Sequence, residues 1–115
     1  KVLPDGNYML FKFKSKVTGD LIMLEPNGKR VLEIIGKDAS AQGIITPEQM
    51  PAAIAALELA VKTEEAERKA AVDKAAQEGK PAPQFETVSL RQRAVPFVDM
   101  LKRCSSEGKE IVWGV

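Results

Sequence analysis

The sequence predicts an α+β domain: a small sheet that pairs N- and C-terminal strands, packed against two or three helices. Three observations carry that expectation. Met9, Phe11 and Phe13 fall on one side of an extended segment and Leu10, Lys12 and Lys14 on the other, the period of two expected of a half-buried strand. Ile111, Trp113 and Val115 share one face of a second such segment at the chain's end. Between them lie two long helical stretches with marked starts and stops.

Taken in order, Lys1 to Tyr8 differ in character from the rest of the chain, and Met9 is a natural start. Residues 1–8 are therefore expected to be an expression remnant or an upstream extension, with 9–115 forming one domain. Met9–Lys16 is the first strand, its two phenylalanines on the core and its lysines in water. Val17-Thr18-Gly19-Asp20 reads as a turn. Leu21–Leu24 is too short and too uniformly apolar for periodicity to separate strand from helix; a hairpin is preferred. Pro26-Asn27-Gly28 reads as punctuation. In Lys29–Ile35, helical spacing of Val31, Ile34 and Ile35, with Gly36 placed to end a helix, competes with β-branching that favours a strand; a short helix is the reading taken.

Thr46-Pro47-Glu48-Gln49 is a capping box with proline in the first helical position. Pro51 comes too soon for an unbroken helix, which predicts one turn and then a fresh helix from Pro51 to Gln77 or Glu78, stopped by Gly79. Its first half carries Ile54, Leu57 and Val61; its second is mostly alanine, with Glu64–Arg68 and Glu65–Lys69 as helix-supporting pairs. Residues 62–83 are thus expected to form a charged helical arm leading into the extended linker Lys80-Pro81-Ala82-Pro83. Ser89-Leu90-Arg91-Gln92 repeats the capping-box pattern. The stripe Leu90, Ala94, Phe97, Leu101 and Cys104 marks the core face of the last helix, Pro96 is expected to kink it, and Gly108 ends it.

Composition excludes more than it identifies. The 115 residues include no histidine and a single cysteine, and the net charge is +1. A near-balanced charge supplies no strong field towards nucleic acid or anionic lipid. Aromatic residues at 5% are too few for a base-stacking platform. One cysteine excludes an internal disulfide framework and fits a reducing compartment. No apolar run approaches the ~20 residues of a membrane-spanning helix. The cytoplasm is the expected location.

Candidate chemistry is thin. Cys104 shares the apolar stripe and lies near a helix C-terminus, where both burial and the helix dipole favour the neutral thiol; it is read as structural. Glu58, Glu64, Glu65 and Glu67 are abundant without marking the apolar pocket a general acid requires. No catalytic residue, cofactor, metal site or small-molecule ligand is implied. Lys12, Lys14 and Lys16 would line the solvent face of the first strand and are the candidate nucleic-acid contacts, although such lysines more often guard a strand against aggregation. Trp113 is read as core.

The segments MLFKFKSKVTGDLIMLEPNG, GIITPEQMPAAIAALE, SLRQRAVPFVDML and IVWGV resemble a family of small, mostly proteobacterial proteins, the domain of unknown function numbered eighteen-forty. The resemblance covers Met9 to Val115. It implies a bacterial, cytoplasmic protein and carries over no functional residue. The leading expectation is a non-catalytic protein that acts by binding another protein, a second copy of itself included. A two-stranded sheet is marginal, so a third strand is expected from Leu21–Leu24, from Gly43–Ile45 or from a partner chain. The alternatives are a weak nucleic-acid binder through the three lysines and an enzyme with a carboxylate site.

Overall fold

A computed structural model describes residues 10–40, 42–85 and 89–114. The expectations for residues 1–8, Met9 and Val115 lie outside these. In chain order the elements are β1 (Leu10–Lys14), β2 (Leu21–Leu24), α1 (Glu25–Ile34), β3 (Gly43–Ile45), α2 (Met50–Gln77), α3 (Leu90–Glu107) and β4 (Ile111–Trp113), with one 3-10 turn at Pro47–Gln49 before α2. The expected α+β class is borne out. The strands form one antiparallel sheet in the order β2-β1-β4-β3.

The pairing of the two chain ends places Phe13 opposite Trp113 and Lys14 opposite Val112. Both segments proposed as third strand take part: β2 closes a hairpin with β1, and β3 pairs β4 on the far side. The sheet is therefore larger than expected, because the chain supplies both outer strands itself.

All three helices lie on one face. Phe11, Phe13, Met23, Ile45, Ile111 and Trp113 point into the core formed there. The Phe13 ring lies 4.8 Å from Phe97 of α3 and 6.0 Å from Trp113, centroid to centroid. The indole N–H of Trp113 donates to the Ser40 carbonyl at 3.0 Å, which satisfies the one polar atom of an otherwise apolar side chain. Gly43 pairs with Trp113 across the sheet, and a Cβ there would collide with the indole ring.

The start of α1 corrects the sequence reading. Pro26-Asn27-Gly28 is the first turn of that helix rather than a break before it. Proline is tolerated at this position because the N–H it lacks would have no intrahelical partner. Gly28 is required by packing: a Cβ would run into the Phe11 ring, so absence of a side chain lets α1 sit close on β1. The buried residues Glu25, Gly28, Val31 and Leu32 trace one helical face.

Each helix stops as expected, at Gly36, Gly79 or Gly108, all in the left-handed region that glycine enters without steric cost. The lysine after each glycine donates its backbone N–H back into the last turn: Lys37 to Leu32, Lys80 to Ala75 and Lys109 to Cys104, at 2.8–2.9 Å. Before α2, the Gln49 side chain accepts the Thr46 backbone N–H at 3.0 Å, as the capping box requires.

The second predicted box, at Ser89, does not form: Ser89 makes no side-chain cap. The Gln92 N–H that its hydroxyl would accept bonds the Ser89 carbonyl instead, at 3.2 Å, and a residue remote in sequence, Glu64 of α2, accepts a different N–H of this turn, that of Leu90, at 2.8 Å. An anionic oxygen is a stronger acceptor than a hydroxyl at a helix N-terminus, where the dipole favours negative charge.

Helix α2 gives the molecule its length. The principal extents are 52 × 38 × 22 Å and the radius of gyration is 16.5 Å, against ~13 Å for a compact chain of this size. Val61 is the last buried residue of α2. Contacts with the rest of the molecule continue through Arg68, which stacks on the Phe85 ring at 4.6 Å. Past it, the one ion pair that α2 makes among the described residues is internal, Lys69 to Asp73 at 2.8 Å.

Candidate interaction surface

Because successive strand residues alternate, burying the two phenylalanines of β1 sends Leu10, Lys12 and Lys14 to the opposite face of the sheet. The pairing then fixes their neighbours. Leu10 lies opposite Leu24 and Lys12 opposite Ile22; Lys14 lies opposite Val112, and Val112 opposite Ile44. No described helix covers this side. Leu10 and Ile22 are each 52% exposed, and Leu24 and Ile44 each 46%. Scattered single hydrophobics on a surface are ordinary, whereas several gathered on one face make a candidate interaction site. The other large exposed hydrophobics of the described residues, Leu59, Val72, Phe85 and Val95, are distributed over α2, the segment after it and α3.

The lysines run down the middle of this surface on β1, flanked by aliphatic side chains of β2 on one side and of β4 and β3 on the other. Among the described residues, neither Lys12 nor Lys14 takes part in an ion pair. Lys16 does not complete the row. It lies in the bend beyond β1, because strand pairing ends where Ser15 turns to other partners. The Ser15 hydroxyl oxygen accepts both the Val17 N–H at 3.2 Å and the Cys104 thiol at 3.1 Å.

Cys104 is fully buried. Its thiol donates to a neutral hydroxyl, and the chain contains no histidine to take the proton. The arrangement holds β1's end against α3.

Carboxylates on α2 are more organised than the sequence suggests. Glu64 has a side chain only 13% exposed. One of its oxygens accepts the Leu90 N–H and lies 3.4 Å from Arg68 Nη2; the other accepts from Arg30 Nη2 at 2.9 Å. Partial burial works against its charge, but the Leu90 N–H, Arg30 and Arg68 outweigh that, and the carboxyl is held below its ordinary range. A general acid needs the reverse shift. Next to it, Glu65 takes a two-point hydrogen bond from Arg91 at 2.6 and 2.9 Å, which lowers its pKa as well. Glu64 thus joins α1, α2 and the start of α3. Only Glu64–Arg68 was visible as a helical spacing; the links to Arg30 and Leu90 come from the tertiary fold.

Between α2 and α3 a shallow groove of about 250 Å³ has Val61, Ala94 and Val98 as its floor and Glu58, Lys62, Asp99 and Lys102 on its rim. Lys102 reaches Glu58 at 3.9 Å. Among the described residues no three cysteine, aspartate or glutamate side chains converge as a metal-binding group, and no helix is long and apolar enough to cross a membrane.

Fold and surface together define an α+β domain with one sheet face covered by helices and the other covered by no described helix. The chain belongs to the family described as Domain of unknown function (DUF1840), whose model matches residues 9–113. No curated protein and no solved structure matches it.

Proposed function

We propose that this chain is a non-catalytic binding protein that holds another protein against the open face of its sheet. The observation that carries the reading is the clustering of Leu10, Ile22, Leu24 and Ile44, each about half exposed, on one surface of a domain whose other sheet face is fully packed. The setting in which it acts is the bacterial cytoplasm, in keeping with its single unbridged cysteine. Self-association is a variant that would use the edges of the sheet rather than its face, since β2 and β3 are edge strands able to pair with a second copy. The nucleic-acid alternative is supported by Lys12 and Lys14, which make no ion pair among the described residues. It is weakened by the displacement of Lys16 and by the lack of an aromatic ring among the outward strand residues.

Photo-crosslinking in cells tests the choice. A photoreactive residue at Ile22 or Ile44 is expected to give protein adducts that the same residue at Val72, far along α2, does not. Adducts at the mass of a dimer identify self-association, and nucleic-acid adducts favour the alternative. Equal labelling from all three positions would remove the sheet face as the binding surface.

A further inference from the structure

We propose that the occupant of the open sheet face is a short, acidic and aliphatic segment of another protein; this rests on the reading above. Size is the first argument. Four strands at ~4.8 Å spacing and three to five residues long at ~3.4 Å per residue make a face of ~300 Å². A standard interface between globular partners covers ~800 Å² on each side. The face is too small for a second folded domain and matches one helix, ~10 Å wide, or one extended strand.

Charge is the second argument. The outward strand residues comprise five aliphatic side chains and two lysines, with no carboxylate among them. Two copies packed face to face would bring four lysines into a gap of ~10 Å without a counter-charge, so a second copy is disfavoured on this face. An occupant that covers the aliphatic flanks must cross the lysine row, and desolvating Lys12 and Lys14 is costly unless it brings carboxylates. Residues two apart on a strand are separated by ~6.8 Å. Acidic residues at positions i and i+4 of a helix, ~6 Å apart, or two apart in an extended segment, meet that spacing. Aliphatic residues beside them would cover Ile22 and Leu24 on one flank and Val112 and Ile44 on the other. The missing aromatic rings disfavour a lipid interface and stacked bases alike.

Selection of random peptides displayed on phage against the full chain tests this, with anisotropy titration of the enriched peptides as probes. Enrichment of paired Asp/Glu among Leu, Ile and Val is expected. The double variant Lys12→Glu/Lys14→Glu should bind those peptides at least tenfold more weakly while melting at the same temperature. A charge-reversed peptide should recover binding to it. Lys62→Glu/Lys102→Glu, on the opposite side of the molecule, should change affinity less than twofold. Peptides that lose binding on Ile22→Asp but carry no acidic bias would overturn the acidic partner and leave the sheet-face reading standing. Peptides indifferent to Ile22→Asp, or no enrichment at all, would overturn both.

Discussion

The junction around Glu64 and the outer face of the sheet solve opposite problems. At the junction, the Glu64 carboxylate engages a backbone N–H and two guanidinium groups, and the neighbouring Glu65 engages a third. On the outer face two lysines stand among aliphatic side chains with no ion-pair partner among the described residues. The contrast teaches where the fold is closed on itself and where it is not. Satisfied polar groups and buried apolar ones stabilise the native state, whereas an exposed aliphatic patch contributes little to folding and raises the risk of association.

The largest expected effect lies in the core that both regions share. Deleting Ile111 to Val115 removes the strand that joins β1 to β3, together with Trp113. Truncating one buried tryptophan costs ~3–5 kcal/mol, against a whole stability of ~5–15 for a domain of this size. The deleted chain is expected to show no cooperative melt by circular dichroism. A transition within a few degrees of the intact chain would mean that the sheet does not depend on β4.

Next in size is the junction. Glu64→Ala should destabilise by ~1–3 kcal/mol, because the Leu90 N–H loses its acceptor and Arg30 and Arg68 lose a shared counter-charge. The effect has a sign in pH. A carboxyl held below its unfolded value of ~4.3 contributes its stability above that value and loses it as pH falls through the folded pKa. The gap between the wild-type chain and Glu64→Gln in urea denaturation should therefore be full near neutrality and shrink below about pH 4. A gap independent of pH would show that the charge of Glu64 is immaterial.

A smaller effect is expected from the far end of α2. Replacing Ala70–Ala82 by a short Gly/Ser linker removes Val72, already 37% exposed, and otherwise mostly alanine and charged residues. The melting temperature should fall by no more than about 4 °C, equivalent to ~1 kcal/mol or less. Extending the replacement back to Thr63 takes Glu64, Glu65 and Arg68 with it and should cost distinctly more. Equal losses from the two replacements would show that the contacts made by those three side chains do not anchor α2.

These differences track the line between what the sequence reveals and what it hides. The inward phenylalanines of β1, the end-to-end pairing and all three glycine stops were legible, because each depends on a local pattern or on one residue's backbone freedom. The start of α1 was not. Pro26-Asn27-Gly28 is a strong turn signal, overridden here by packing of Gly28 on Phe11, a contact between elements. Ser89 carried a local capping pattern that does not form, and the carboxylate that does accept an N–H of this turn, Glu64, comes from another helix. The open face was hidden for a third reason: Leu21-Ile22-Met23-Leu24 is apolar at every position, so no alternation shows which side faces out. Only the register with β1 places Ile22 and Leu24 beside Lys12 and Leu10.

The smallest effect on the fold, and the sharpest on function, is expected from the open face itself. Ile22→Thr combined with Ile44→Thr replaces two half-exposed side chains by residues of high strand propensity that leave the inner face untouched. Substitutions away from buried features change stability by ~0.5 kcal/mol or less, so the melting temperature should barely move and the sheet should persist. If the face holds a partner, the same pair of changes should abolish the crosslinks formed from a photoreactive residue at Leu24, because threonine removes apolar area and leaves a hydroxyl where the partner excludes water. A protein that keeps its partners after these changes would place binding elsewhere. One that loses several kcal/mol of stability would show that the outer aliphatics serve the fold, and the contrast with the Glu64 junction would collapse.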